Sequence, residues 1–124
     1  MTKEYKDPVQ KLEFEIAEVA ERIRTYKEIM QRLTAQVLCI KYMRVAAPGS
    51  PMQVRVGRRR DSGWIPGVLV GRKDNKRGIS YQVLIQSEQG AKVLQVPEWR
   101  VRPSDEVRHA LDEEAAHNVG IGHA

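Results

Sequence analysis

Residues 8–45 read PVQKLEFEIAEVAERIRTYKEIMQRLTAQVLCIKYMRV, and the spacing of their apolar side chains decides the fold class. Val9, Leu12, Ile16, Val19, Ile23, Tyr26, Met30, Leu33, Val37 and Ile40 follow one another at alternating steps of three and four. A mean step of 3.5 keeps one narrow stripe in line along a helix. A helix lying on a globular core shows a broader apolar band. The pattern predicts a coiled-coil oligomerisation helix over 8–45. Asp7 before Pro8 supplies the start: the carboxylate accepts from free backbone N–H groups, and proline lacks a donor where none is needed. Ala46-Ala47-Pro48-Gly49-Ser50-Pro51 ends the helix and makes 46–51 a linker. Such a rod spans roughly 55 Å at 1.5 Å per residue.

With Val9 at position a, the a positions are Val9, Ile16, Ile23, Met30 and Val37, and the d positions Leu12, Val19, Tyr26, Leu33 and Ile40. Branched residues at a and leucines at d favour two strands. Arg22 at g and Lys27 at e repel each other in a parallel pair, which leaves antiparallel pairing open. A helix folded back on its own domain is the third arrangement to weigh.

Charge along the 124 residues is uneven. Residues 1–40 carry seven Lys and Arg against seven Asp and Glu. Residues 41–102 carry thirteen against four, and residues 103–124 one against five. A basic block between neutral and acidic flanks points to one module that meets a polyanion. The bland reading is a solubilising surface. The single cysteine, Cys39, forms no internal disulfide and lies beside the seam, where an ordinary thiol is expected. No signal peptide and no membrane-length apolar run are visible, so a cytoplasmic or nuclear, non-secreted protein with no membrane partner is expected.

From Met52 the period changes to that of strands. Strands are predicted over 52–57, 64–71, 79–85 and 91–96, with a charged hairpin loop at 72–78, a helical turn at 97–100 and a closing strand at 101–102. Pro66 and Gly67 demand an edge, a bulge or a sharp bend in the second strand. Five short strands with glycine-rich turns suit a small, bent antiparallel barrel over 52–103. Pro103-Ser104-Asp105-Glu106 opens a short acidic helix over 104–118, with Val107, Ala110 and Leu111 as its apolar face. Residues 119–124 are expected to be a flexible tail. The fold class is therefore α+β.

Residues 52–102 resemble the Tudor/SH3-like barrel superfamily, which includes Tudor and agenet domains and retroviral integrase C-terminal domains. The stretch Gly63-Trp64-Ile65-Pro66-Gly67-Val68-Leu69 is similar to the family's second strand. Val93-Leu94-Gln95-Val96-Pro97-Glu98-Trp99-Arg100-Val101-Arg102-Pro103 is similar to its ending, in which two strands flank one short turn. A coiled coil ahead of this module is also similar to the Tudor subunit of the SAGA complex, which has two modules where this chain has room for one. Tudor methyl-lysine readers surround a cation with three or four aromatic rings. Here only Trp64 falls near such a position, with Arg58, Arg59 and Arg60 where another ring is usual, so the cage loses most of its support.

The arginines suit a nucleic-acid-binding member better. Arg55, Arg58, Arg59, Arg60, Arg72, Lys73, Lys76 and Arg77 occupy one strand and two loops that a bent barrel can bring to neighbouring edges. They would neutralise phosphates of DNA or RNA in a salt-sensitive way. Trp64 offers either a base-stacking ring or a filler for the barrel's end; core filling is expected for it and for Trp99. Tyr81 is expected in the core.

No catalytic constellation, cofactor or metal set is read from the chain. His109, His117 and His123 lie in the acidic C-terminal segment without zinc-ligand spacing, and Gly63, Gly67 and Gly71 do not open a helix as a phosphate loop does. The expectation is a non-enzymatic homodimer, joined through the N-terminal helix, that binds nucleic acid. The alternatives are a Tudor-like protein-interaction or histone-tail-reading adaptor, and a small inhibitor of an acidic protein surface.

Overall fold

A computed structural model describes residues 7–57 and 63–119. Helix α1 (Pro8–Val45) is followed by β1 (Pro51–Arg55), β2 (Trp64–Asn75), β3 (Gly78–Ser87) and β4 (Gly90–Pro97). A 3-10 turn (Glu98–Arg100), β5 (Val101–Pro103) and helix α2 (Asp105–Val119) complete the chain. The five strands form one antiparallel sheet in the order β4-β3-β2-β1-β5.

The expected barrel is corrected to an open sheet. β5 pairs only with β1, over Met52 to Val54, and β4 pairs only with β3. No ladder among the described residues joins the two edges. Instead α1 seals the core: Met43 and Ala46 are buried with Met52, Val54, Leu69, Tyr81, Val83, Ile85, Val96 and Val101.

The ends of α1 fall where the local chemistry puts them. Asp7 accepts from the Val9 N–H at 3.0 Å, and the Ala46 N–H closes the last turn on the Tyr42 carbonyl at 2.9 Å. The 46–51 segment is held against the sheet. Gly49 N–H donates to the Leu69 carbonyl at 2.7 Å, and Leu69 N–H to the Ser50 carbonyl at 3.0 Å.

β2 and β3 run further than their apolar pattern predicts. Their ladder continues through Arg72↔Tyr81 to Asn75↔Gly78, leaving Lys76 and Arg77 as the turn. Strand alternation reports burial, and this outer half of the hairpin pairs without being buried on both faces. The bend expected near Pro66-Gly67 takes the form of a close approach. A Cβ at Gly67 would lie 2.7 Å from Val83 Cγ1 and 3.2 Å from the Leu84 carbonyl oxygen, so only glycine fits. A bulge between Leu69 and Gly71 follows.

Two polar ties hold the end of α1 besides Met43, and a third contact braces the second of them. Arg72 Nη1 donates to the Met43 and Ala46 carbonyls at 2.9 and 2.6 Å. Arg44 forms a two-pronged ion pair with Glu98 at 2.8 and 2.9 Å. The Tyr81 hydroxyl donates to the same carboxylate at 3.4 Å. Burial and the nearby Glu98 charge push the Tyr81 phenol up to about 12, so it stays a neutral donor.

α2 packs against the C-terminal half of α1. Val107, Leu111, Ala115 and Val119 recur every fourth residue, and Ala115 is fully buried. Ala110, expected on that face, is exposed. On α1 the half-buried residues are Gln31, Thr34, Ala35, Leu38, Cys39 and Tyr42, and every described residue before Gln31 is exposed.

Candidate nucleic-acid interface

Strand parity fixes which side chains leave the core. Met52 and Val54 are buried, so Gln53 and Arg55 point to the other face of β1. Residues paired across strands share a face. Gln53 is paired with Arg102 and Arg55 with Trp64, so all four stand on the outer face. Trp64 therefore does not fill the core, contrary to expectation. The same holds for Trp99, a residue 69% exposed on the 3-10 turn.

Each indole carries a guanidinium. Arg102 Cζ lies 4.1 Å from the centre of the Trp64 ring, and Arg100 Cζ lies 5.4 Å from that of Trp99. Arg102 Nε also donates to Gln53 Oε1 at 2.7 Å, and Arg100 Nη2 to the Gly57 carbonyl at 2.7 Å. Burial, followed by the like charge of Arg108, holds the Arg102 pKa below its usual value. Arg108 pairs with Asp105, whose carboxyl is lowered first by that hydrogen bond. The Nε atoms of Arg100 and Arg108 are shielded from solvent without a partner among the described residues.

Both tryptophans, Arg102, Asp105 and Arg108 border a cleft of about 1060 Å³ between α1, β5 and α2. Arg32, Arg102 and Arg108 face it, and so do Glu28, Glu98, Asp105 and Asp112. Its charge is therefore mixed, and its aromatic wall is better suited to a planar group than its carboxylates are to a phosphate. Cys39 lines the same cleft, half-buried. Burial pushes its thiol up, so it stays protonated at neutral pH and is a poor nucleophile.

The expected cations divide into two groups. Arg55 and Trp64 lie at one end of β2, and Lys73, Lys76 and Arg77 at the other. Lys73 lies nine residue steps along β2 from Trp64, roughly 30 Å of chain at strand rise. The structure does not bring the two groups to one edge. Arg72 is engaged with the end of α1, as described above. Arg58, Arg59, Arg60 and His123 lie outside the described residues. No group of three or more potential metal ligands occurs among the described residues. No described helix is long and apolar enough to cross a membrane.

Sequence reasoning missed Arg100, Arg102, Arg32 and Arg108. A signal for Arg102 was present: Val101-Arg102-Pro103 alternates inward and outward, which sets the arginine beside whatever faces outward on the neighbouring strand. Arg32 and Arg108 carry no such signal, because only the packing of α2 on α1 brings them to the cleft. No family model matches the chain, and no curated protein or solved structure matches it.

Proposed function

We propose that this protein is a non-enzymatic, homodimeric nucleic-acid-binding protein built on a Tudor/SH3-like module. The observation that carries this reading is that both tryptophans lie outside the core, each with an arginine over its ring. A ring used only for packing is buried; a partly exposed ring beside a cation offers a stacking surface next to a phosphate contact. The surplus of nine positive charges over residues 41–102 supports the same reading. The strand order, with a 3-10 turn between the last two strands, supports the Tudor/SH3-like assignment.

A methyl-lysine reader is disfavoured. The Arg102 guanidinium places a positive charge 4.1 Å from the Trp64 ring, which repels a methylated ammonium and not a base or a phosphate. A protein-interaction adaptor remains the second reading, favoured by the four cleft carboxylates.

A gel shift with random duplex DNA, single-stranded DNA and RNA at two salt concentrations tests the proposal. Binding is expected to fall steeply with salt, with a log–log slope of about 0.9 per phosphate neutralised on duplex. Replacing Arg58, Arg59 and Arg60 by alanine, or Lys73, Lys76 and Arg77, is expected to weaken binding and reduce that slope. Trp64→Ala is expected to weaken single-strand binding most. No binding to any of the three nucleic acids at low salt overturns the proposal. A salt-insensitive association with a protein that depends on Trp64 favours the adaptor.

A further inference from the structure

All ten seam residues of α1 are exposed, from 41% at Ile40 to 67% at Ile16. α2 covers a different face, marked by Gln31, Thr34, Ala35 and Leu38, and leaves Met30, Leu33, Val37 and Ile40 open. A hollow of about 360 Å³ between Leu12, Ile16, Val19 and Ile23 has the apolar lining that a neighbouring helix's side chain fills in a coiled coil. The helix therefore packs on its own domain only through its last turns, and over residues 8–30 it does not fold back on it. A long helix with branched residues facing water is marginal without a partner.

The charge on α1 is split along its length. Residues 8–21 carry one lysine against four glutamates; residues 22–45 carry six lysines and arginines against one glutamate. A parallel partner sets acidic half on acidic half and basic half on basic half. An antiparallel partner sets each half on its opposite.

We infer that α1 pairs with α1 of a second copy in antiparallel orientation, in the register that sets Val9 against Ile40 of the partner subunit. This deepens the homodimer in the reading above. The register is the one that matches every a position with a d position, from Val9 with Ile40 to Ile23 with Tyr26. Between Glu13 and Gln36 it sets Arg22 by Ile29 and Lys27 between Ala20 and Lys27 of the partner subunit, a single like-charged pair, at the two-fold axis. In the parallel register Arg22 meets Lys27 twice. One functional consequence follows. The two sheets sit at opposite ends of the paired rods, roughly 45 Å apart by helix rise. They bridge separated sites on a polymer and do not share one local grip.

Disulfide trapping in the full-length chain, with Cys39→Ser, tests the orientation. Leu12→Cys combined with Val37→Cys is expected to give a covalent dimer on mild oxidation, while either cysteine alone does not. Efficient cross-linking by Leu12→Cys alone, which places d against d, overturns the inference. So does sedimentation of the unaltered protein as a monomer at tens of micromolar. Lys27→Glu is a second readout that needs no cysteine. It raises the melting temperature of a parallel dimer by removing the repulsion with Arg22, and is expected to give no increase in the antiparallel one. A monomer leaves a positive gel shift standing, and a negative gel shift leaves the cross-linking pattern standing, so the two readings fail separately.

Discussion

The two ends of α1 carry similar apolar spacing and have opposite surroundings. From Pro8 to Met30 every residue is exposed, whereas Met43, one turn beyond the last seam residue, is 1% exposed. Both ends present apolar side chains at helical spacing. The difference is what lies within reach. The last turns meet the open side of a small sheet that lacks a closing strand, and the side chains of the first six turns stay exposed among the described residues. An apolar side chain is buried by geometry, and its hydrophobicity alone does not supply a neighbour.

That contrast can be broken at the docked end with the largest effect. Met43→Ala is expected to destabilise the fold by about 2–5 kcal/mol, read by urea denaturation, because it removes a side chain that is 1% exposed in the core. Arg72→Ala is expected to cost about 1.5–3 kcal/mol in the same assay, since it strips a charged donor from two carbonyls at the helix end. A result within error of the wild type would show that water replaces it.

Glu98→Gln sharpens the comparison through pH. The Arg44 guanidinium, hydrogen-bonded to Glu98, holds that carboxyl below its ordinary value of 4.5. A carboxyl lowered on folding stabilises the fold fully above its unfolded pKa and loses that contribution as pH falls through the lowered folded value. The unaltered protein is therefore expected to lose stability below about pH 4.5 from this pair, and Glu98→Gln to lose less over that window. At pH 7 the substitution is expected to cost about 1 kcal/mol or less, since Arg44 is half exposed.

The free end is expected to give the smallest effect on the protomer. At nanomolar concentration Ile23→Asp should shift the denaturation midpoint reported by Trp64 and Trp99 by less than about 0.5 kcal/mol. At micromolar concentration the same substitution should abolish association. A large shift at high dilution would mean that the rod contacts its own sheet after all.

Legibility followed the range of the forces involved. The bounds of α1 were readable because Asp7-Pro8 and Ala46-Pro48-Gly49 act on their own backbone. Tyr81 was readable as core because it sits in an apolar alternating run. The outer hairpin was not, since Arg72 to Asn75 pair through backbone hydrogen bonds that hydropathy does not register. The site was half legible. Trp64 was singled out, but its place on the outer face follows from its pairing with Arg55, a fact of register. The basic residues were countable, but the separation of Arg55 from Lys73 along β2 was not, because charge counting does not measure the length of a strand.

By itself the sequence determined the periodicities: a 3.5-residue seam along the helix, a two-residue alternation in the strands, and a division of charge between the halves of the rod. These are local properties of spacing and composition. Only the tertiary structure decided that the sheet stays open with Met43 in its core, that Arg72 serves the helix end, and that both tryptophans face outward under arginines. Those outcomes depend on which distant segments meet, and a one-dimensional pattern does not encode the distance between them.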